Sequence, residues 1–169
     1  MRRMLCLTLG LAACGALALS PLAAARGGKR PAHQAHPKDF TVFAFSGPSK
    51  LVPASGTSPK KLSPGDVLII NDRLTVPYAR HGKYRIIGSD SGSCVFTRVS
   101  HRKGLADCSV TAILPKGSIT TEGPITFRGN GLETAHLAII GGTGKFRNAG
   151  GAVQVKPSGH YTALTFTLR

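Results

Sequence analysis

The sequence predicts an all-β domain, built either as a sandwich or as a closed barrel. Three observations carry this. From Phe40 onward, short runs rich in Val, Ile, Thr, Phe and Tyr alternate with Gly, Pro, Asn and Asp punctuation. Within those runs the apolar residues recur at every second position, the period of a half-buried strand. No segment combines a 3.6-residue apolar period with capping residues, so no helix competes.

The chain opens with the basic Met1-Arg2-Arg3-Met4, followed by an apolar stretch from Leu5 to Leu22 that ends in Ala23-Ala24-Ala25. Basic start, apolar middle and small-residue exit form the pattern of a secretory signal over 1–25, and imply a secreted, extracellular or periplasmic protein. Gly10, Gly15 and Pro21 interrupt the stretch. No later segment approaches the roughly 20 apolar residues of a membrane span. Leu11-Ala12-Ala13-Cys14 also fits a lipobox, so the alternative is a lipoprotein anchored through Cys14. Residues 26–39, with Gly-Gly, two prolines and two histidines and no periodicity, read as a flexible leader, which leaves 40–169 as one domain.

Strands are expected near 40–45, 67–71, 83–88, 94–100, 108–114, 118–127, 134–140, 152–156 and 161–168. A long Pro/Ser/Lys-rich connection over 47–64 should wrap the surface. Leu164, Phe166 and Leu168 share one face of the last strand. Cys108, Val110, Ala112 and Leu114 share a face, as do Cys94 and Phe96. A sheet of this size that closes on itself encloses about the volume of one small ligand.

With Cys6 and Cys14 in the signal, Cys94 and Cys108 remain, and two cysteines in an exported chain read as one disulfide. No Cys or His lies nearby at ligand spacing, and the six histidines show no metal motif, so neither a metal nor a cofactor is expected. The net charge of +15 falls to about +13 once Arg2 and Arg3 leave with the signal. The basic residues are scattered and there is no Trp, so no strip for stacking bases exists and nucleic acid is not an expected partner. The run Ile139-Ile140-Gly141-Gly142-Thr143-Gly144-Lys145-Phe146 invites comparison with phosphate loops. It lacks the last glycine of G-x-G-x-x-G and the Ser or Thr that follows a P-loop lysine, so a tight corner between strands is expected instead.

Four stretches in order carry a family resemblance. They are Asn71-Asp72-Arg73-Leu74-Thr75, like N-D-P-L-T; Gly92-Ser93-Cys94-Val95, like G-L-C-V; Gly117-Ser118-Ile119-Thr120-Thr121-Glu122-Gly123-Pro124, like G-x-I-x-x-x-G-P; and Ala138 to Ala149, like A-I-T-G-G-[ST]-G-x-[FY]. Together they make the chain resemble the allene oxide cyclase and dirigent-protein superfamily over 40–168. The resemblance implies an eight-stranded antiparallel closed β-barrel with an apolar cavity, and homotrimers. One of the nine expected strands is then surplus, a bent strand counted twice.

The resemblance also implies a function. Cyclases close an allene oxide to a cyclopentenone, and dirigent proteins steer coupling or cyclisation of phenolic intermediates, both by holding a reactive ligand in one conformation. The cyclase glutamate of the V-Y-E-x-N strand corresponds to Ala44 here, so no carboxylate remains on that strand. Asp72 matches the dirigent aspartate and is the candidate catalytic acid. Its structural alternative is an Asx residue forming a turn. Phe43, Ala44, Phe96, Arg98, Tyr84 and Tyr161 are expected to line the cavity. The expected function is a secreted barrel that binds a small apolar or phenolic molecule and guides its cyclisation or coupling. The alternative is a non-catalytic extracellular or cell-envelope binding module with a basic surface. Whether the protein is an enzyme is left open by the sequence.

Overall fold

The computed structural model of the protein describes residues 39–47, 49–54, 61–78, 83–101, 103–129 and 131–169. The expected signal over 1–25, with Cys14, and the leader up to residue 38 lie outside the described residues.

Strands β1 (Phe40–Phe45), β2 (Lys50–Val52), β3 (Val67–Pro77), β4 (Tyr84–Ser100), β5 (Lys103–Leu114), β6 (Gly117–Arg128), β7 (Gly131–Leu132), β8 (Ala135–Gly142), β9 (Gly151–Ser158) and β10 (Tyr161–Leu168) follow in order. Every pairing is antiparallel. The ring runs β1-β3-β4-β5-β6-β8-β9-β10 and returns to β1, so eight strands close a barrel. β1 makes the closure, because Phe40–Phe45 lie opposite Phe166–Tyr161 while Phe43–Phe45 also lie opposite Thr75–Arg73. Short β2 and β7 sit outside the ring, on β3 and β6.

The surplus strand is β4. The runs at 83–88 and 94–100 are two halves of one strand of 17 residues, and the ladder continues through Ser89–Ser93. β3 likewise runs six residues past its expected end at Asn71. Asn71 and Asp72 sit mid-ladder there because β4 pairs with them along one edge, at Ser91 and Asp90, while β1 takes up the other edge from Arg73 onward. The connection over 47–64 contains β2, which takes up the edge of β3 beyond the end of β1. Buried Asp66 fastens this connection: one carboxylate oxygen accepts the Ala54 N–H and the other the Ser63 N–H, each at 2.8 Å.

Alternation fills the interior. Val42, Leu74, Cys94, Ala106, Ile119, Leu137, Val153 and Phe166 are all at most 2 % exposed, each from a different strand of the ring. Cys94 and Cys108 lie directly opposite each other on β4 and β5 and form a disulfide on this inward face. At one end the barrel is plugged by the glycine corner. A 3₁₀ turn, Gly144–Phe146, follows β8 and turns the Phe146 ring inward, 5.9 Å from Phe40, which stacks on Phe166 at 4.9 Å. The turn rests on the β5–β6 hairpin: the Lys145 N–H donates to the Lys116 carbonyl, and the Ser118 N–H donates to Thr143 Oγ1. Gly144 has φ +59, and a Cβ there would stand 2.3 Å from the Lys116 carbonyl oxygen.

Two consequences can be measured. Gly144→Ala combines a left-handed backbone with a backbone clash and should cost about 2 kcal/mol or more, whereas Gly141→Ala, which meets nothing within 4 Å, should leave the melting temperature within about 2 °C of wild type. Replacing Cys94 and Cys108 together by Ala should cost about 3 kcal/mol in chemical denaturation, and thiol titration of the folded wild type should find neither of the two reactive.

Candidate functional site: a blind barrel cavity with two carboxyl groups

Small side chains leave the barrel interior partly empty. Inward positions carry Ala44 on β1 and Ala112 on β5, where larger residues would meet across the axis. The result is a cavity of about 560 Å3, a size suited to one small organic ligand. Its deep wall is apolar, with Leu137, Val153 and Phe166 next to the plugged end. Its mouth lies at the opposite end, where Gly131, Pro157, Gly159 and His160 are exposed. Ser46 and Ser49 border it where β1 gives way to β2.

Two aspartates interrupt the apolar lining. Asp72 on β3 and Asp90 on β4 occupy directly opposed ladder positions and both face the cavity. Asp72 Oδ1 accepts the Gly47 N–H at 2.8 Å, tying the β1–β2 corner to β3. That corner needs glycine, since a Cβ on Gly47 would fall 1.7 Å from the Asn71 carbonyl oxygen. The Asp72 N–H in turn donates to Asp90 Oδ1 at 3.0 Å. Asp72 is therefore a mid-strand wall residue and not the Asx residue of a turn.

Both acids are weakened. Burial lifts the Asp72 carboxyl above the usual carboxylate range, partly opposed by the Gly47 hydrogen bond. Asp90 is only 4 % exposed. Burial first and the neighbouring Asp72 charge second push it up to about 6, against the opposing hydrogen bond from the Asp72 N–H. A carboxyl group that titrates close to neutrality can both give and take a proton, which is the requirement for general acid–base work.

The other expected site residues are distributed over both faces of the wall. Ala44 lines the cavity, and Tyr161 stands at its rim. Phe96 is buried in the core against Phe127, ring centroids 5.3 Å apart. Arg98 is exposed, because a bulge between Phe96 and Arg98 shifts the alternation by one residue. Phe43 is on the outer face of β1, where its ring meets Tyr84 at 5.6 Å and Tyr161 at 6.4 Å. Asp90 is the residue that sequence reasoning passed over. Gly88-Ser89-Asp90-Ser91-Gly92 has the composition of a turn, yet counting back by twos from Cys94 through Gly92 puts Asp90 on the inward face.

The raised pKa of Asp90 has a defined sign for stability. Folding favours its protonated form, so this group's contribution is fully present below its unfolded value of 3.8 and is lost as pH rises through about 6. The full span corresponds to about 3 kcal/mol. Asp90→Asn should therefore be more stable than wild type at pH 7, and the gap between the two should close as pH is lowered from 6.5 to 4. Thermal melts of both proteins across that range check it.

Comparison with known proteins follows the same lines as the geometry. The profile of the family described as Dirigent-like protein matches residues 36–167. A search of curated protein sequences finds no match. Among solved structures, one titled "Pyocyanin demethylase" is similar at 25 % identity and TM-score 0.62, covering 78 % of this chain and 99 % of that one. The pterocarpan synthase dirigent protein PsPTS1 is similar in fold at 20 % identity and TM-score 0.54, covering 79 % of this chain and 94 % of that one. A profile that spans all eight strands of the ring, on a barrel of this topology, makes the chain a member of the Dirigent-like protein family.

Proposed function

We propose that this protein binds a small apolar or phenolic molecule inside its barrel and guides the molecule's cyclisation or coupling. The observation that carries the reading is the Asp72–Asp90 pair, two weakened acids facing an otherwise apolar cavity. Apolar walls hold the ligand in one conformation and limit the orientations from which it reacts. The carboxyl pair exchanges a proton with a hydroxyl or carbonyl of the bound molecule as its bonds rearrange. Ala44 leaves β1 without a carboxylate, so in this chain the acid–base function falls to the β3–β4 wall. The name of the pyocyanin demethylase supports the reading in one respect: a barrel of similar fold acts on a small molecule. The dirigent neighbour supports the fold alone. We place the protein outside the cytoplasm, a reading supported by the disulfide and by the signal pattern of 1–25. Among the described residues no helix is long and apolar enough to cross a membrane. By family resemblance the assembly is a homotrimer.

A second reading rests on charge. Lys116, Lys145, Arg147 and Arg169 are all exposed at the plugged end, where the Lys145 N–H donates to the Lys116 carbonyl, with Asp39 as the acidic side chain there. Such a surface suits a non-catalytic module that adheres to a polyanion.

Two measurements separate the readings. Binding of a hydrophobic fluorescent dye should be insensitive to salt between 50 and 500 mM if it occupies the cavity, and Ala44→Phe should weaken it about tenfold while the circular dichroism spectrum is retained. Attraction to an anionic polymer should instead fall steeply over the same salt range. Mass spectrometry of molecules that co-purify from the native source identifies a substrate. With that substrate Asp90→Asn should lower turnover at least 100-fold; unchanged turnover in the variant would remove Asp90 from the reaction, and no turnover by the wild type would make the protein a binder.

A further inference from the structure

The sign of the charge inside the barrel is opposite to the sign outside it. We infer that the cavity selects neutral or cationic aromatic ligands that present an N–H or O–H donor to Asp90, and rejects anions of the same shape. This rests on the cavity being the binding site, as proposed above, and narrows the class of molecule it takes.

Three observations carry the inference. Asp72 and Asp90 both face the cavity, and no Lys or Arg lines it among the described residues. The one basic side chain on the wall is His160, exposed at the mouth. Second, Asp90 is 96 % buried and accepts one hydrogen bond, on Oδ1, from the Asp72 N–H. Its Oδ2 has no protein donor among the described residues, and a buried carboxylate oxygen without a donor is costly. A ligand that supplies the donor removes that cost; a carboxylate or phenolate ligand cannot supply one and adds a like charge at low effective dielectric. Third, the outer surface is strongly basic, so the field outside steers anions toward the mouth and slows cations. Selection against anions must then occur within the barrel, by affinity and not by encounter.

The test uses three tricyclic probes of nearly equal shape on the complete mature protein: 9-aminoacridine as the cation, anthracene-9-methanol as the neutral donor, and anthracene-9-carboxylate as the anion. At pH 7.5 the cation should bind at least tenfold more tightly than the carboxylate, with the neutral alcohol between them. Raising the salt should speed association of the cation without reversing that order. Lowering the pH to 5 should weaken the cation at least threefold and leave the alcohol unchanged. The titratable groups facing the ligand are Asp72, Asp90, His160 and, at the rim, Tyr161, so the pH series is repeated in His160→Gln to remove the histidine's share. In Asp90→Asn the preference for cation over carboxylate should fall below threefold. Should that variant fail to fold, the pH series on wild type decides alone. Equal or tighter binding of the carboxylate overturns the inference and leaves the cavity-binding reading intact. If neither these probes nor the hydrophobic dye binds at all, both fall.

Discussion

The structure depends on one closure: β1 hydrogen-bonds β10 along one edge and β3 along the other. An open sheet of these strands would expose two edges and leave one apolar face uncovered. Closing it gives every strand of the ring two neighbours and turns that face into an enclosed interior. The inward positions then form a single continuous core, and their volumes decide what space is left. Alanines at 44 and 112 are among the small side chains that leave room for the cavity. Phe40, Phe146 and Phe166 pack together at the plugged end.

The same closure explains why two aspartates are tolerated in the wall. β1 stops at Phe45 and β2 begins at Lys50, so the edge of β3 around Asp72 lacks a continuous ladder partner. Asp72 spans that gap by accepting the Gly47 N–H, and its own N–H is spent on Asp90. The pair thus has a structural task that holds its geometry, and Asp90 retains an oxygen facing the cavity. A group kept partly unsatisfied by a wall that cannot relax is a source of chemistry.

Much of this was legible in the sequence, for physical reasons that can be traced residue by residue. Two-residue alternation identified the inward sets on β5 and β10, and the count of cysteines outside the signal paired Cys94 with Cys108. The order of four motifs gave the barrel, and with it the doubled strand that became β4. What could not be read came from residues whose local preference the tertiary structure overrides. Asn71-Asp72-Arg73 and Gly88 to Gly92 favour turns in isolation, yet flanking partners keep them in the ladder. β2 was hidden in a Pro- and Ser-rich connection because three residues carry too little pattern, and its place depends on β1 ending early. The exposure of Arg98 follows from a bulge that no local residue announces.

The Phe146 plug has a kinetic meaning. Among the described residues the cavity opens at one end, so a molecule that enters must leave by the way it came. Occupancy is exclusive: a second molecule cannot queue behind the first, and a spent one blocks its successor until it departs. Inhibition by product would then be strictly competitive, and the ceiling on any turnover would be set by how quickly the mouth empties. Natural variation in rate should accordingly concentrate in the residues around His160 and Gly131, which can change without disturbing the ring beneath them.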